Sequence, residues 1–62
     1  MSIYGNDIKN GRVNDINCDE VADVNDLPTF AEEHDLKPGS TCLCVGNSSV
    51  YQMKSDGTWK ML

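Results

Sequence analysis

Sixty-two residues are enough for one small domain and no more. Ten Asp and Glu stand against five Lys and Arg, so the net charge is −5, and the cations are scattered along the chain. This balance argues against direct binding to nucleic acid or to anionic membranes, which both require a clustered basic face. No apolar run approaches the roughly 20 residues that span a bilayer, so we expect no membrane insertion.

The chain is too hydrophobic for outright disorder, with 39 % apolar residues. It is also too short for a robust core, because a domain of this size buries only about 60 % of its unfolded surface. Three cysteines, an odd number, do not form a closed disulfide framework. No secretory signal precedes them, so we expect free thiols in a reducing cytosol, and a partner surface as the source of extra stability.

Residues 1–26 are rich in Asn and Asp and are predicted to form an extended acidic N-terminal arm. Asn10-Gly11 is a type I′ hairpin signal that would pair Ile8 with Val13. Two interpretations stay open, a floppy leader and an arm that lies on a neighbouring protein. In the second, isolated apolar side chains would enter shallow pockets of the neighbour: Ile3, Tyr4, Ile8, Val13 and Ile16.

Residues 27–62 are predicted to form the folded body. Asp26-Leu27-Pro28 is typical of a helix start, because proline is tolerated in the first turn. Leu27, Phe30, Ala31 and His34 then follow the spacing of one helical face. The turn residues Lys37-Pro38-Gly39-Ser40 end this helix.

Three strands are predicted after the helix, over residues 41–45, 49–54 and 58–62, separated by turns rich in Gly, Asn, Asp and Ser. Apolar and polar residues alternate in the last two strands, as in a half-buried antiparallel sheet. The predicted fold class is therefore α+β, a three-stranded antiparallel β-meander with one short helix and an extended arm. The last strand is expected to lie at a sheet edge that a neighbouring subunit could complete.

No constellation in the sequence predicts catalysis or a cofactor. Cys18, Cys42, Cys44 and His34 lack a recognisable spacing for a nucleophile with its base or for zinc, so we treat the thiols as small buried hydrophobes. Residues 19–26 fail the calcium-loop pattern and are predicted to be a solvated acidic surface. Tyr51 and Trp59 are either core residues or a surface aromatic patch.

Several phrases of the body resemble small proteins encoded among the structural genes of tailed bacteriophages and prophages. The phrases are Asp26-Leu27-Pro28-x-Phe30-Ala31, Leu36-Lys37-Pro38-Gly39-Ser40, Val50-Tyr51 and Ser55-Asp56-Gly57-Thr58-Trp59. The resemblance covers residues 26–62 and implies a virion-associated role, as a head decoration protein, a minor capsid protein or a fibre-like attachment. It implies no catalytic residues.

The function expected from these observations is that of a non-enzymatic structural component of a phage particle, made in the host bacterial cytoplasm and located in the virion. Its partners would be other virion proteins of the capsid or tail, and the chain would be a homo-oligomer or bound in a lattice. The alternative is a small acidic intracellular protein that inhibits or binds a basic site on a host protein.

Overall fold

The fold is α+β, as predicted, but its sheet is larger than the expected meander. The computed structural model describes residues 3–5 and 8–62 of the chain. One sheet has the strand order β1-β2-β3-β4-β5. The elements are β1 (Ile3–Tyr4), β2 (Asp15–Cys18), a 3₁₀ helix (Val21–Asp26), α1 (Leu27–Glu33), β3 (Thr41–Cys44), β4 (Ser49–Met53) and β5 (Trp59–Met61).

Strands β3, β4 and β5 form the antiparallel meander that the sequence predicts. Cys42 lies opposite Tyr51, which in turn lies opposite Met61. The turn into β5 is closed by Asp56, whose carboxylate accepts hydrogen bonds from the backbone N–H and hydroxyl of Thr58 at 3.0 and 2.6 Å. These local pairings need only short turns, which is why alternation and turn residues suffice to predict them.

Strands β1 and β2 correct the expectation of a three-stranded sheet with an extended N-terminal arm. Strand β2 lies parallel to β3, with Asp15 opposite Thr41 and Cys18 opposite Cys44. Strand β1 extends the sheet on the other side of β2, antiparallel to it. Residues 3–18 therefore supply two of the five strands, and Asp26, where the arm is predicted to end, lies in the connection between two strands of this sheet.

The connection from β2 to β3 runs through both helices, because parallel neighbours cannot be joined by a tight turn. Helix α1 begins with proline in its first turn, as predicted. Leu27, Phe30 and Ala31 are buried, which confirms the predicted apolar face. His34 is half-buried at the end of the helix, where its ring centroid lies 4.3 Å from that of Phe30.

The acidic stretch before α1 is not wholly solvated. Asp23 is only 6 % exposed, and its carboxylate accepts a hydrogen bond from the backbone N–H of Glu20 at 3.0 Å. The backbone N–H of Asp23 donates to the carbonyl of Glu20 at 3.0 Å. This reciprocal arrangement fixes the start of the 3₁₀ helix, since otherwise unpaired backbone groups are satisfied there.

Asn10-Gly11 forms a turn, but within residues 8–14 the structure has no strand ladder that pairs Ile8 with Val13. Gly11 has a φ of +76° and donates its N–H to the carbonyl of Asp35 at 2.9 Å. The side-chain amide of Asn14 donates to the carbonyls of Lys9 and Arg12. The loop thus docks on the end of the helix, instead of closing a hairpin.

The core lies between the helices and one face of the sheet, which we call the covered face. Its buried residues are Ile16, Cys18, Leu27, Phe30, Ala31, Leu36, Cys42, Cys44, Tyr51 and Met53. Successive residues of a strand point to opposite faces, so the other face carries the intervening residues. Both helices lie in the β2–β3 connection and pack on the covered face, so the second face, the open face, lacks a helical layer in the described structure.

Candidate interaction surfaces

The three thiols lie together under the helices. Cys18, Cys42 and Cys44 are each 0 % exposed and unpaired by disulfides. Burial raises the pKa of the Cys18 thiol well above its usual range, and hydrogen bonds to the other two thiols add to the shift. Burial likewise raises the pKa of Cys42, against a lowering by the hydrogen bond from Cys18. Protonated, inaccessible thiols are poor nucleophiles, so this cluster acts as apolar core.

The described residues hold no group of three or more His, Cys, Asp or Glu side chains placed to bind a metal ion. The ring of His34 lies beside that of Phe30, tilted by 35° from its plane. Two shallow depressions, of about 250 and 190 Å³, lie beside α1 and are lined in part by Glu32 and Glu33 respectively. Neither lining includes a thiol, a hydroxyl paired with a base, or a histidine.

The open face carries a row of side chains across the sheet that is apolar except at the half-buried Asn17. Register places Asn17 opposite Tyr4, Leu43 beside Asn17, and Val50 beside Leu43. The backbone N–H of Leu62 donates to the Val50 carbonyl at 2.7 Å, which continues the row to the last residue. Its members Tyr4, Leu43 and Leu62 are 48, 41 and 70 % exposed. We call Tyr4, Leu43, Val50 and Leu62 the apolar row.

A polar row runs alongside the apolar row on the same face. Asp15, Thr41, Gln52 and Lys60 occupy successive register positions from β2 to β5. The Thr41 hydroxyl donates a hydrogen bond to the Asp15 carboxylate, and the Gln52 amide donates to the Gly39 carbonyl at 3.2 Å. The open face therefore combines an apolar stripe with oriented polar groups, a composition common in the contact surfaces of proteins.

Charge is distributed unevenly along the chain. Residues 1–36 hold nine acidic and two basic side chains, a charge of −7, whereas residues 37–62 hold one acidic and three basic side chains, a charge of +2. Asp15 and Asp19 lie in or beside β2, near one end of the sheet, and Lys60 lies in β5 at the other end. The Asp19 carboxylate raises the pKa of the neighbouring Tyr4 phenol.

Strand β5 ends the sheet within the described residues, and its pairing with β4 shows which of its backbone groups point outward. Lys54 donates its N–H to the Thr58 carbonyl at 2.6 Å, and Leu62 donates to Val50 at 2.7 Å. Hydrogen-bonded and non-bonded pairs alternate in an antiparallel ladder, so Trp59 and Met61 direct their N–H and C=O groups away from β4. The side chain of Trp59 has an unpaired donor too, because its buried indole Nε1–H has no acceptor among the described residues.

The residues predicted to form an arm interface have different environments. Ile16 is 1 % exposed in the core, and Ile3 and Ile8 are partly buried against it. Tyr4 and Val13 are exposed, at 48 and 58 %. The alternation of Ile16 and Cys18 with polar neighbours was the available signal for a strand here, but it spans only four residues.

Tyr51 and Trp59 do not form a surface aromatic patch. Tyr51 is 8 % exposed within the core, and the half-buried Trp59 packs against that core opposite Met53. Leu43 and Leu62 were not identified from the sequence as surface residues. Leu43 lies between two buried cysteines, and this alternation in β3 was the signal that could have located it on the open face.

Searches against protein-family models, curated proteins and solved structures found no match to the chain. Within the described residues, no helix has the length and apolar character needed to cross a membrane.

Proposed function

We propose that this chain is a non-enzymatic structural component of a tailed-phage particle, a capsid decoration, minor head or fibre-associated protein that acts through protein–protein contacts. It would be made in the host bacterial cytoplasm and reside in the virion. The observation that carries the proposal is the open face of the sheet, with its exposed apolar row. The resemblance of residues 26–62 to phage structural proteins supplies the biological setting.

An uncovered apolar row is costly for a protein that stays alone in water. Tyr4, Leu43 and Leu62 expose between 41 and 70 % of their surfaces. Burial of apolar surface against a partner is favourable by about 25 cal/mol per Å². A partner that binds only the folded chain also stabilises it by mass action, which suits a domain with so small a core.

Incorporation into particles tests the proposal. Particles released by the bacterium that carries this sequence would be purified by density gradient, and their proteins identified by mass spectrometry. We expect the chain to copurify with capsid or tail proteins at a fixed ratio. Its absence from intact particles, despite expression in the same cells, would overturn the proposal.

A matched pair of variants tests whether the open face makes the contact. Leu43→Lys places a charge in the apolar row, and Val21→Lys places the same charge on an exposed residue of the 3₁₀ helix, away from the open face. We expect Leu43→Lys to abolish incorporation and Val21→Lys to preserve it, with both variants folded by circular dichroism. Equal incorporation of the two variants would exclude the open face as the contact.

The alternative, an acidic binding protein, draws support from the β2–β3 connection. Asp19, Glu20, Glu32 and Glu33 are exposed there, and such a surface suits a basic partner. This function predicts a soluble complex with one cellular protein, weakened strongly by salt, and no copurification with particles.

A further inference from the structure

We propose that copies of this chain join head to tail, with β5 of one copy pairing with β1 of the next, these being the two strands that end the sheet within the described residues. The joined copies form one continuous sheet. This inference deepens the proposed function and rests on it for the biological setting. Its physical basis is independent, and lies in the directions of the strands, the backbone groups at the β5 edge and the opposite charges at the two ends of the sheet.

The strand directions suit such a join. Strand β1 is antiparallel to β2, β2 is parallel to β3, and two antiparallel steps lead from β3 to β5. Strand β5 therefore runs in the direction of β2 and opposite to β1. A β5 edge placed beside the β1 edge of a second copy gives an antiparallel pair with the helices of both copies on the same side.

The β5 edge has the hydrogen-bonding groups that the join requires. Trp59 and Met61 direct their backbone N–H and C=O groups away from β4, as the ladder positions of Lys54 and Leu62 establish. Strand addition at such an edge supplies main-chain hydrogen bonds without a preformed pocket. Met61 is 55 % exposed, so its side chain is also free to pack on an added strand.

Opposite charges at the two ends of the sheet favour the β1 end of a second copy as the partner of the β5 edge. Lys60 lies at the β5 edge, within a segment of charge +2. Asp19 lies beside Tyr4 of β1, within the segment of charge −7. A head-to-tail join brings these opposite charges together, whereas a symmetric β5–β5 pair centred on Lys60 would oppose two lysines directly, which is unfavourable.

A head-to-tail join also leaves the open face uncovered. The open face of each copy then continues into that of the next, turned by the twist of the sheet, so the apolar rows follow one side of a twisted ribbon. Heterologous contacts of this kind close into rings or continue as open filaments, and they do not stop at two copies.

The oligomeric state of the purified reduced chain tests the inference, by sedimentation velocity and light scattering over a wide concentration range. We expect species larger than a dimer, weakened by high salt. A chain that remains monomeric at every concentration, or that stops at a dimer, would overturn the inference, because a head-to-tail dimer retains one free edge of each kind.

A proline substitution identifies the edge. Met61→Pro removes an N–H that points away from β4, so it blocks strand addition without breaking the ladder within the chain. We expect this variant to fold, by circular dichroism, and to weaken assembly at least about tenfold, since it removes a main-chain hydrogen bond and the fit of the added strand. Assembly equal to that of the unmodified chain would exclude the β5 edge.

A charge exchange identifies the second edge. Lys60→Glu and Asp19→Lys should each weaken assembly by about two- to fivefold, the range of exposed ion pairs. The double variant carries both exchanged charges, so every junction again joins opposite signs and assembly should recover. Failure to recover in a folded double variant would exclude the β1 end as the occupant.

The outcomes separate this inference from the proposed function. Particles that contain the chain, together with a purified chain that stays monomeric, would preserve the structural role and overturn the head-to-tail join. Self-assembly sensitive to Met61→Pro, with no copurification with particles, would preserve the join and overturn the role in a virion.

Discussion

The two faces of the sheet differ in what their apolar residues contact. On the covered face Ile16 and Cys42 are at most 1 % exposed beneath the helices, whereas Leu43, the neighbour of Cys42 in the chain, is 41 % exposed on the open face. Both faces are built from the same short strands. The alternation of side chains along each strand therefore separates buried from exposed positions, so mutations one residue apart should differ in their effect on stability.

Leucine-to-alanine substitutions on the two sides should show the largest contrast. Leu27 is 0 % exposed in α1, and Leu27→Ala should cost about 2–5 kcal/mol of unfolding free energy through lost burial and a cavity. A domain of this size has little more than that to lose. Leu43→Ala should change stability by less than about 1 kcal/mol, since much of the side chain is already in water. Urea denaturation monitored by circular dichroism measures both, and equal losses would contradict the division of the faces.

Substitution of Gly46 tests the close approach between the turn after β3 and the start of the β2–β3 connection. A Cβ on Gly46 would lie 2.6 Å from the backbone oxygen of Asp19, at the start of the β2–β3 connection. Gly46→Ala should therefore displace backbone and cost about 1–3 kcal/mol, as overpacking does.

The matched control for Gly46→Ala is Gly57→Ala. Gly57 has open space around it but a φ of +88°, so the substitution should cost only about 1 kcal/mol, from backbone strain alone. Thermal unfolding of the two variants measures the difference. A larger loss at Gly57 would show that backbone conformation outweighs the contact at Gly46.

Ser40 connects the two segments that precede the parallel strands. It is 0 % exposed, and its hydroxyl donates to the Lys37 carbonyl at 2.7 Å and accepts from the Asn14 N–H at 3.2 Å. Ser40→Ala leaves the Asn14 N–H without this acceptor, whereas the Lys37 carbonyl keeps the hydrogen bond from the Ser40 N–H at 3.2 Å, and the unpaired N–H should cost about 1–3 kcal/mol. Ser49→Ala, in a half-buried strand position, serves as the comparison in the same urea experiment, and a similar loss there would argue against a special role for Ser40.

The free energy of unfolding should fall gradually at alkaline pH, because of the thiols buried on the covered face. The pKa values of Cys18 and Cys42 are raised in the folded chain from an ordinary value of 9.0. The folded state therefore keeps protons that the unfolded state loses, so stability is unaffected below about pH 9 and falls as the pH rises above it.

Urea midpoints between pH 7 and pH 11 measure this dependence, with Cys18→Ala as the control for other groups that titrate in the range. The alanine variant should be less stable at neutral pH but should lose less on alkalinisation. A parallel decline in the two proteins would show that the thiols do not cause it.

The sequence was sufficient to predict α1 and the β3–β5 meander, because their signals are local. The helical spacing of Leu27, Phe30 and Ala31 and the alternation around Tyr51 each lie within a few residues. The phrases on which the proposed phage role rests lie in and beside these elements. Leu27, Ser40 and Tyr51 in these phrases are buried, and Val50 is the one member of the apolar row that they include.

Strands β1 and β2 could not be predicted in the same way. Asp15 pairs with Thr41, which lies 26 positions later in the chain beyond a helical connection. No turn residue near β2 therefore indicates the pairing. The same omission left the apolar row unidentified, since Tyr4 belongs to it only once β1 is placed in the sheet.

Parallel pairing of β2 with β3 has a consequence for synthesis of the chain. Residues 15–18 are synthesised before the strand that they pair with, so β2 cannot pair until residues 41–44 and the helices between them have followed. Because translation proceeds at roughly 5–20 residues per second, the two strands are made roughly one to five seconds apart. The Cys18 thiol, which is buried in the folded chain, gains its covering layer only when those later residues fold over it, so oxidants can reach this thiol before folding and not after it.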